Sequence, residues 1–167
     1  KRLLLVFERR EMPVMIVEKD RMYLNFVNDA VRRAQADIST PVPETGVYTG
    51  EEIYQFILYD RGWEADELVR TLNQSRMIRW HERAVDVIPE KGGKVAGIRR
   101  FLEDFSISQE EIMAFGDGEN DMDMLKFAGI GIAMGNADTQ VKAIADEVTE
   151  SVDENGVVRA LYRHGLL

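Results

Sequence analysis

The chain lacks cysteine altogether, and this absence excludes disulfide bonds and thiolate metal sites. It also lacks any apolar run near the roughly 20 residues that a membrane-spanning helix needs, so we expect no association with a membrane. Positive charge is scarce as well, because 21 Lys and Arg face 30 Asp and Glu, which gives a net charge of -9. A general nucleic-acid binder needs a basic face, so we expect no nucleic-acid partner. The missing cysteines fit a cytoplasmic location.

What the sequence does contain is the composition of a globular protein, with 45% hydrophobic and 31% charged residues in a chain of 167. That length allows one large core or two small ones. The apolar residues near the N-terminus are too few for a signal peptide and are followed at once by charge, so we predict the end of a helix there. Because the first residue is Lys1, we expect translation to start upstream of it.

The first region, residues 1–88, has short apolar segments separated by turns and helical patterns. Asn28 is a potential cap for a short helix, and the stretch 39–50, with its prolines and glycines, predicts a loop. Strands are predicted in the apolar, β-branched or aromatic segments 13–17, 22–26, 53–59, 77–80 and 84–88. Strands separated by single helices indicate a small αβ sandwich with a mixed or antiparallel sheet.

The second region, residues 89–167, alternates more regularly between wholly apolar strands and amphipathic helices. Strands are predicted at 112–115, 130–134 and 147–149, and helices at 95–105, 122–128, 141–145 and 157–163. This alternation indicates a parallel sheet covered by helices on both faces. Ligands of such sheets bind at the carboxyl ends of the strands, so a functional site is expected there.

The chemically informative segment runs from Phe115 to Asp121, at the carboxyl end of a predicted strand. Asp117 is expected on the strand-to-helix turn, and Asn120 and Asp121 in the first helical turn, so that two carboxylates and an amide converge. Hard oxygen ligands suit Mg²⁺, which takes one or two carboxylates beside water and phosphate oxygens. The same residues would also form an ordinary helix N-terminus with surface acids, because aspartate caps free backbone amides there.

A second element lies upstream in a Gly-Gly-Lys turn, where Lys94 is expected to begin a helix. A lysine in this position can place a point positive charge on a phosphoryl oxygen and on a carboxylate nucleophile. Taken alone, a solvated lysine in a turn is the simpler interpretation. The order of this turn, one helix and then the turn at Asp117 favours the functional interpretation.

Lys94, the sequence GDGEND at 116–121 and the sequence AMGNA at 133–137 occur in an order that resembles haloacid dehalogenase (HAD) phosphatases of the Cof type. The motifs cover residues 79–167, and before residue 79 the resemblance rests on the order and size of the elements. It implies an α/β fold in which residues 89–167 form the C-terminal half of a HAD-type, Rossmann-like parallel-sheet core. Residues 1–88 would form an inserted αβ cap domain that determines substrate specificity.

The resemblance also implies a role for each site residue. Lys94 would be catalytic and would bind the phosphoryl group, and Asn120 would bind that group or orient the lysine. Asp117 and Asp121 would hold Mg²⁺, the second of them directly or through water. Members of the family transfer the phosphoryl group to an aspartate and then hydrolyse the aspartyl phosphate. The implied substrate is a small phosphorylated metabolite, such as a sugar phosphate or a phosphorylated cofactor.

One part of the family's pattern has no match in this sequence. In the family the nucleophile and the general acid–base belong to an Asp-x-Asp-Gly-Thr motif on the first core strand, and none occurs among the 167 residues. Asp121 and Asp123 form an Asp-x-Asp pair, but they lie in the helix after the metal turn. We therefore expect the nucleophile upstream of this chain and expect the chain alone to be inactive. The alternative is a non-catalytic module that binds a metal or a phosphorylated ligand.

The resemblance also has a consequence for self-association. In the family the first core strand lies beside the strand that ends at the metal turn. Without that neighbour, residues 112–115 would form an unprotected apolar edge, and exposed strand edges tend to pair with other chains. For the chain on its own we therefore predict aggregation, strand exchange or self-association through this edge.

Overall fold

The structure is a computed structural model that describes residues 1–60 and 62–167. The chain divides into two compact units, Lys1–Lys91 and Gly92–Leu167. The first contains an antiparallel sheet and the second a parallel sheet, so the protein has the predicted α/β fold. No helix in the described part of the chain combines the length and the apolar character that crossing a membrane requires.

In its described residues, the first unit is an antiparallel sheet with helices packed on both faces. Its elements are α1 (Arg2–Arg9), β1 (Val14–Val17), β2 (Met22–Leu24), α2 (Asp29–Asp37), β3 (Gln55–Tyr59), α3 (Glu64–Arg70), β4 (Ser75–His81) and β5 (Ala84–Pro89). The strand order is β2-β1-β3-β5-β4, and every neighbouring pair is antiparallel. Of the two sheet types that the sequence allowed, the structure has the antiparallel one.

Alternation along the strands gives this sheet two apolar faces. Buried residues of α1 and α3 pack on one face, together with Val14, Ile16 and Leu58. Buried residues of α2 pack on the other face with Met15 and Tyr59. The successive residues Val14, Met15 and Ile16 thus point to alternate faces, as they must in a strand. The unit therefore buries both faces of its sheet although its strands are short.

A buried asparagine connects the beginning of this sheet to α1. Asn25 is 6% exposed, and its amide nitrogen donates to the carbonyl oxygens of Phe7 at 3.0 Å and Met12 at 2.9 Å. Its side-chain oxygen accepts the N–H groups of Val14 and Phe26, both at 2.9 Å. β2 therefore ends before Asn25 and does not continue through Phe26 as predicted, because Asn25 leaves the strand to satisfy these backbone groups.

The second unit combines a parallel sheet with helices that pack against it. Its elements are α4 (Lys94–Phe105), β6 (Met113–Gly116), α5 (Met122–Phe127), β7 (Ile130–Ala133), α6 (Thr139–Lys142), β8 (Glu147–Val148) and α7 (Gly156–Arg163). The strand order is β6-β7-β8, and both pairs are parallel, which confirms the predicted parallel sheet. Ala114 of β6, Leu125 of α5 and Val141 of α6 belong to one buried cluster that joins the sheet to these helices.

The helix α6 is shorter than its sequence pattern indicated. It spans Thr139–Lys142, although apolar residues at helical spacing continue to Ala145. The reason is Asp146, whose side chain accepts the N–H of Gly131 at 2.8 Å while its own N–H donates to the Gly131 carbonyl at 2.8 Å. The chain has to leave the helix early to bring Asp146 alongside β7.

We predict that Asn25→Ala destabilises the protein by about 3 kcal/mol, because it leaves buried backbone groups without partners at roughly 1–3 kcal/mol each. The matched control is Asn28→Ala, which removes the N-cap hydrogen bonds to Ala30 and Val31 and should cost only about 1 kcal/mol. Urea unfolding followed by circular dichroism measures both free energies. Equal losses in the two variants would contradict the role assigned to Asn25.

Candidate functional site

The candidate site lies where β6 and β7 end side by side. The two strands pair in parallel with Gly116 opposite Ala133, so the segments that follow them start from the same edge of the sheet. After Gly116 the chain turns at Asp117, forms a 3₁₀ turn over Glu119–Asp121 and enters α5 at Met122. This is the strand-to-helix arrangement that the sequence predicted for the two acids.

The Asp121 carboxylate is buried, with 8% of its side chain exposed, and both of its oxygens accept hydrogen bonds. Oδ1 pairs with the Lys94 ammonium. Oδ2 accepts the N–H groups of Asp117 at 3.1 Å and Gly118 at 3.2 Å. Burial opposes the negative charge, but the Lys94 hydrogen bond, the two backbone N–H groups and the lysine's charge outweigh it and lower the pKa of Asp121. The carboxylate is therefore ionised at neutral pH.

Lys94 is the first residue of α4 and follows the Gly-Gly turn directly. Gly93 has a φ of 102°, a backbone conformation that residues with a side chain rarely adopt, and this turn leads the chain into the helix. The Lys94 side chain is 48% exposed, so the ammonium contacts Asp121 and remains open to solvent. The structure thus brings together two of the residues that the sequence placed in the site.

Asp117 is exposed and contacts Asn136, a residue for which the sequence predicted no role. The Asn136 amide nitrogen donates to Asp117 Oδ2 at 2.7 Å, and the Asn136 side-chain oxygen accepts the N–H of Val152 at 3.1 Å. Asn136 follows β7 as Asp117 follows β6. That shared position is the signal that could have revealed the contact, since neighbouring parallel strands end at the same edge.

The loop after β7 is fastened to the C-terminal part of the chain. The Gly135 N–H donates to the Glu150 carbonyl at 3.1 Å, and Lys142 Nζ donates to the Gly135 carbonyl at 2.6 Å. The Glu150 carboxylate pairs with Arg163 of α7 at 3.0 Å. Hydrogen bonds from Arg163, from its own backbone and from Thr149 lower the pKa of Glu150 to about 2. The helix α7 therefore helps to hold the loop that contacts Asp117.

Asn120, the predicted phosphate-binding residue, is exposed in the 3₁₀ turn next to Asp121. Within residues 1–60 and 62–167, the side-chain amide of Asn120 has no hydrogen-bond partner. The side-chain amide is accordingly open to a ligand beyond the carboxyl end of β6, where the Lys94 ammonium also lies. Its binding role stays a prediction.

The oxygen atoms of the turn fit Mg²⁺. Asp117 Oδ2 is used by Asn136, whereas Oδ1 accepts no hydrogen bond from the residues that the structure describes. An exposed carboxylate oxygen is the hard ligand that Mg²⁺ prefers, and the ion usually takes only one or two carboxylates from the protein. In the described ranges, no group of three or more His, Cys, Asp or Glu side chains is arranged to hold a metal.

The fold and these motifs match known proteins over almost the entire chain. The model of the haloacid dehalogenase-like hydrolase family matches residues 1–161. The chain belongs to this family. The resemblance that Lys94, GDGEND and AMGNA indicated is therefore confirmed.

Relatives of this HAD chain carry phosphatase names. Putative phosphatase YkrA of Bacillus subtilis is 35% identical over 170 residues, which cover 100% of this chain and 66% of YkrA. The 5-amino-6-(5-phospho-D-ribitylamino)uracil phosphatase YitU of the same organism is 31% identical over 143 residues, which cover 85% of this chain and 51% of YitU. Among solved structures, the HAD subclass IIB sugar phosphatase BT4131 has a TM-score of 0.84 and 30% identity, over 99% of this chain and 65% of that one. The chain thus spans two thirds or less of the length of these relatives.

Gly116 lies directly against the Asp121 side chain. A Cβ atom added at Gly116 would lie 2.8 Å from Asp121 Cγ and closer still to its Cβ. The glycine is not among the residues with a positive φ. It is therefore required for the close approach of Asp121, and not for a left-handed backbone conformation.

We predict that Gly116→Ala destabilises the protein by about 2 kcal/mol, as overpacking at a tight contact does, because it displaces Asp121. The control is Gly97→Ala in α4, where an added Cβ meets nothing within 4 Å. This variant should be more stable by about 0.5–1 kcal/mol, since alanine favours the helix. Thermal and urea unfolding compare the two. If both alanine variants are equally stable, the claim that Asp121 packs tightly against Gly116 is wrong.

Proposed function

We propose that this HAD protein acts as a magnesium-dependent phosphatase that hydrolyses a small phosphate monoester. The observation that carries the proposal is the contact of the Lys94 ammonium with the buried Asp121 carboxylate, in the same turn as the exposed Asp117. This contact supports a fixed positive charge at the edge of the sheet where ligands of α/β proteins bind. The phosphatase relatives, at 31% and 35% identity, support the same class of reaction.

Each site residue has a chemical task in this proposal. Lys94 offers a point positive charge to phosphoryl oxygens, and the Asp121 carboxylate holds the Lys94 ammonium in place. Asn120 donates to the phosphoryl group from its exposed amide. Asp117 would hold Mg²⁺ through its free oxygen, and Asp121 would contribute through water because both of its oxygens already accept hydrogen bonds. The ion would offset the negative charge of the phosphate.

In the same proposal the reaction passes through an aspartyl phosphate, as the family resemblance implies. The Asp-x-Asp-Gly-Thr motif that would supply the nucleophile is not among the 167 residues, and its position upstream of Lys1 stays a prediction. Residues 89–167 would supply the C-terminal half of the core, and residues 1–88 the cap that selects the substrate. The names of BT4131, a sugar phosphatase, and of YitU, a 5-amino-6-(5-phospho-D-ribitylamino)uracil phosphatase, support a small phosphorylated metabolite such as a sugar phosphate as the substrate. A phosphorylated cofactor as the substrate and a cytoplasmic location stay predictions.

We expect the full-length gene product to release phosphate from at least one ester in a panel of sugar phosphates and phosphorylated cofactors, and only with Mg²⁺. Asp117→Ala should lower kcat/KM by on the order of 100-fold or more, as the loss of one transition-state contact does. Asp153→Ala is the matched control, because it removes an exposed acid from the 3₁₀ turn Val152–Glu154 and should leave the activity unchanged.

Two results would decide against the phosphatase. Absence of hydrolysis with every ester, together with no effect of Asp117→Ala on metal or phosphate binding, would refute the proposed site. Binding of Mg²⁺ and a phosphorylated ligand without turnover would instead favour the non-catalytic module that the sequence left open.

For the chain on its own we further propose self-association through β6. Within the described residues β6 pairs only with β7, so its other edge presents unpaired backbone groups. Met113 and Phe115 on this strand are only partly buried. An edge of this kind can pair with the same strand of a second copy.

Light scattering of the chain alone should show a molar mass that rises with protein concentration. Met113→Lys, which places a charge on this edge strand, should shift the protein towards the monomer, because edge charges oppose strand pairing. Val158→Lys, on the exposed side of α7, is the control and should leave the mass unchanged. A monomer at every concentration, with one cooperative unfolding transition, would contradict the proposal.

A further inference from the structure

The contact between Asn136 and Asp117 is a direct link between the two loops that follow β6 and β7. The Asn136 amide nitrogen donates to Asp117 Oδ2 at 2.7 Å, a distance typical of a charge-assisted hydrogen bond to a carboxylate. Both residues are exposed, so the contact is not a by-product of core packing. Asp117 would otherwise be a surface side chain that is free to rotate.

The orientation of the Asn136 amide is set by the backbone. The N–H of Val152 donates to Asn136 Oδ1 at 3.1 Å, and a backbone N–H can donate but cannot accept. The oxygen of the amide must therefore face Val152, which leaves the NH₂ group for Asp117. The main chain thus directs the NH₂ group of Asn136 at the Asp117 carboxylate.

The segment that holds Asn136 is itself fixed at two points. The Gly135 N–H donates to the Glu150 carbonyl at 3.1 Å, and Lys142 Nζ donates to the Gly135 carbonyl at 2.6 Å. A Cβ atom added at Gly135 would lie 2.6 Å from the nitrogen of Ser151, so the two segments are in close contact. The Asn136 amide therefore reaches Asp117 from a loop with little freedom to move.

We infer that Asn136 is a positioning residue, which fixes the Asp117 carboxylate through Oδ2 and thereby presents Oδ1 to a divalent cation. This inference rests on the proposed function, in which Asp117 holds Mg²⁺. Hydrogen bonds from outer residues orient metal-binding carboxylates, and their loss typically weakens metal affinity by about 10–100-fold. Asn136 would not bind the cation itself, because its side-chain oxygen already accepts the N–H of Val152.

The test is the affinity for Mn²⁺ alone, measured by electron paramagnetic resonance and by calorimetry on the whole chain. Asn136→Ala should raise the Kd for Mn²⁺ by about 10–100-fold. Lys142→Met is the comparison variant, because it removes a contact that holds the same loop at Gly135 without touching Asp117, and it should weaken Mn²⁺ binding by less than Asn136→Ala does. In the full-length gene product, Asn136→Ala should raise the Mg²⁺ concentration needed for half-maximal rate, while kcat at saturating Mg²⁺ stays within a few-fold of the unmodified protein.

A second variant keeps Asn136 in place and removes what orients it. Val152→Pro deletes the backbone N–H at the first position of a 3₁₀ turn, where proline is tolerated. The preceding residue, Ser151, has φ -67° and ψ 166°, which suit a residue before proline. This variant should weaken Mn²⁺ binding in the same direction as Asn136→Ala but by a smaller factor.

The outcomes separate this inference from the proposed function. If the unmodified chain binds Mn²⁺ and Asp117→Ala abolishes the binding, while Asn136→Ala and Val152→Pro bind normally, the positioning role is wrong and the metal site stands. If Lys142→Met weakens binding as much as Asn136→Ala does, the loop acts only through its general stability, which also overturns the inference. If the unmodified chain binds no Mn²⁺, the proposed metal site fails and the role of Asn136 fails with it.

Discussion

The ionised Asp121 carboxylate is the centre on which the rest of the site depends. A buried charge is costly unless it is paired and hydrogen-bonded, and here one oxygen pairs with Lys94 while the other accepts two backbone N–H groups of the turn. These contacts join the first residue of α4 to the turn that follows β6. They fix the backbone of Asp117, and they require a glycine at 116, because any side chain there would displace the carboxylate.

A second layer of contacts comes from much later in the chain. Asn136 after β7 holds the Asp117 side chain, and Val152 orients Asn136. The same stretch includes Glu150, whose carboxylate is paired with Arg163 of α7. The two exposed residues that are proposed to bind ligands, Asp117 and Asn120, thus follow the end of β6, while the geometry of Asp117 is determined by polar contacts that extend to the C-terminal helix.

Polar residues also decide where elements end, and this is where the sequence pattern was misleading. The apolar pattern continued a strand through Asn25 and a helix through residue 145. In the structure the Asn25 side chain bonds to backbone groups up to 18 residues away, and Asp146 bonds to Gly131, 15 residues away. Local propensity and spacing cannot reveal such hydrogen-bond partners, because the two residues become neighbours only after the sheet has formed.

Residue order alone was enough to predict the order of the elements, the parallel sheet of the second unit, the family, and the position of Lys94, Asp117 and Asp121 at strand and helix ends. These features follow from short-range periodicity and from motifs of adjacent residues. The folded structure was needed to establish that the first sheet is antiparallel, that both Asp121 oxygens have partners, and that Asn136 contacts Asp117. The reason is physical: a hydrogen bond depends on which donor faces which acceptor, and for residues far apart in the chain that is set by the packing of the folded elements.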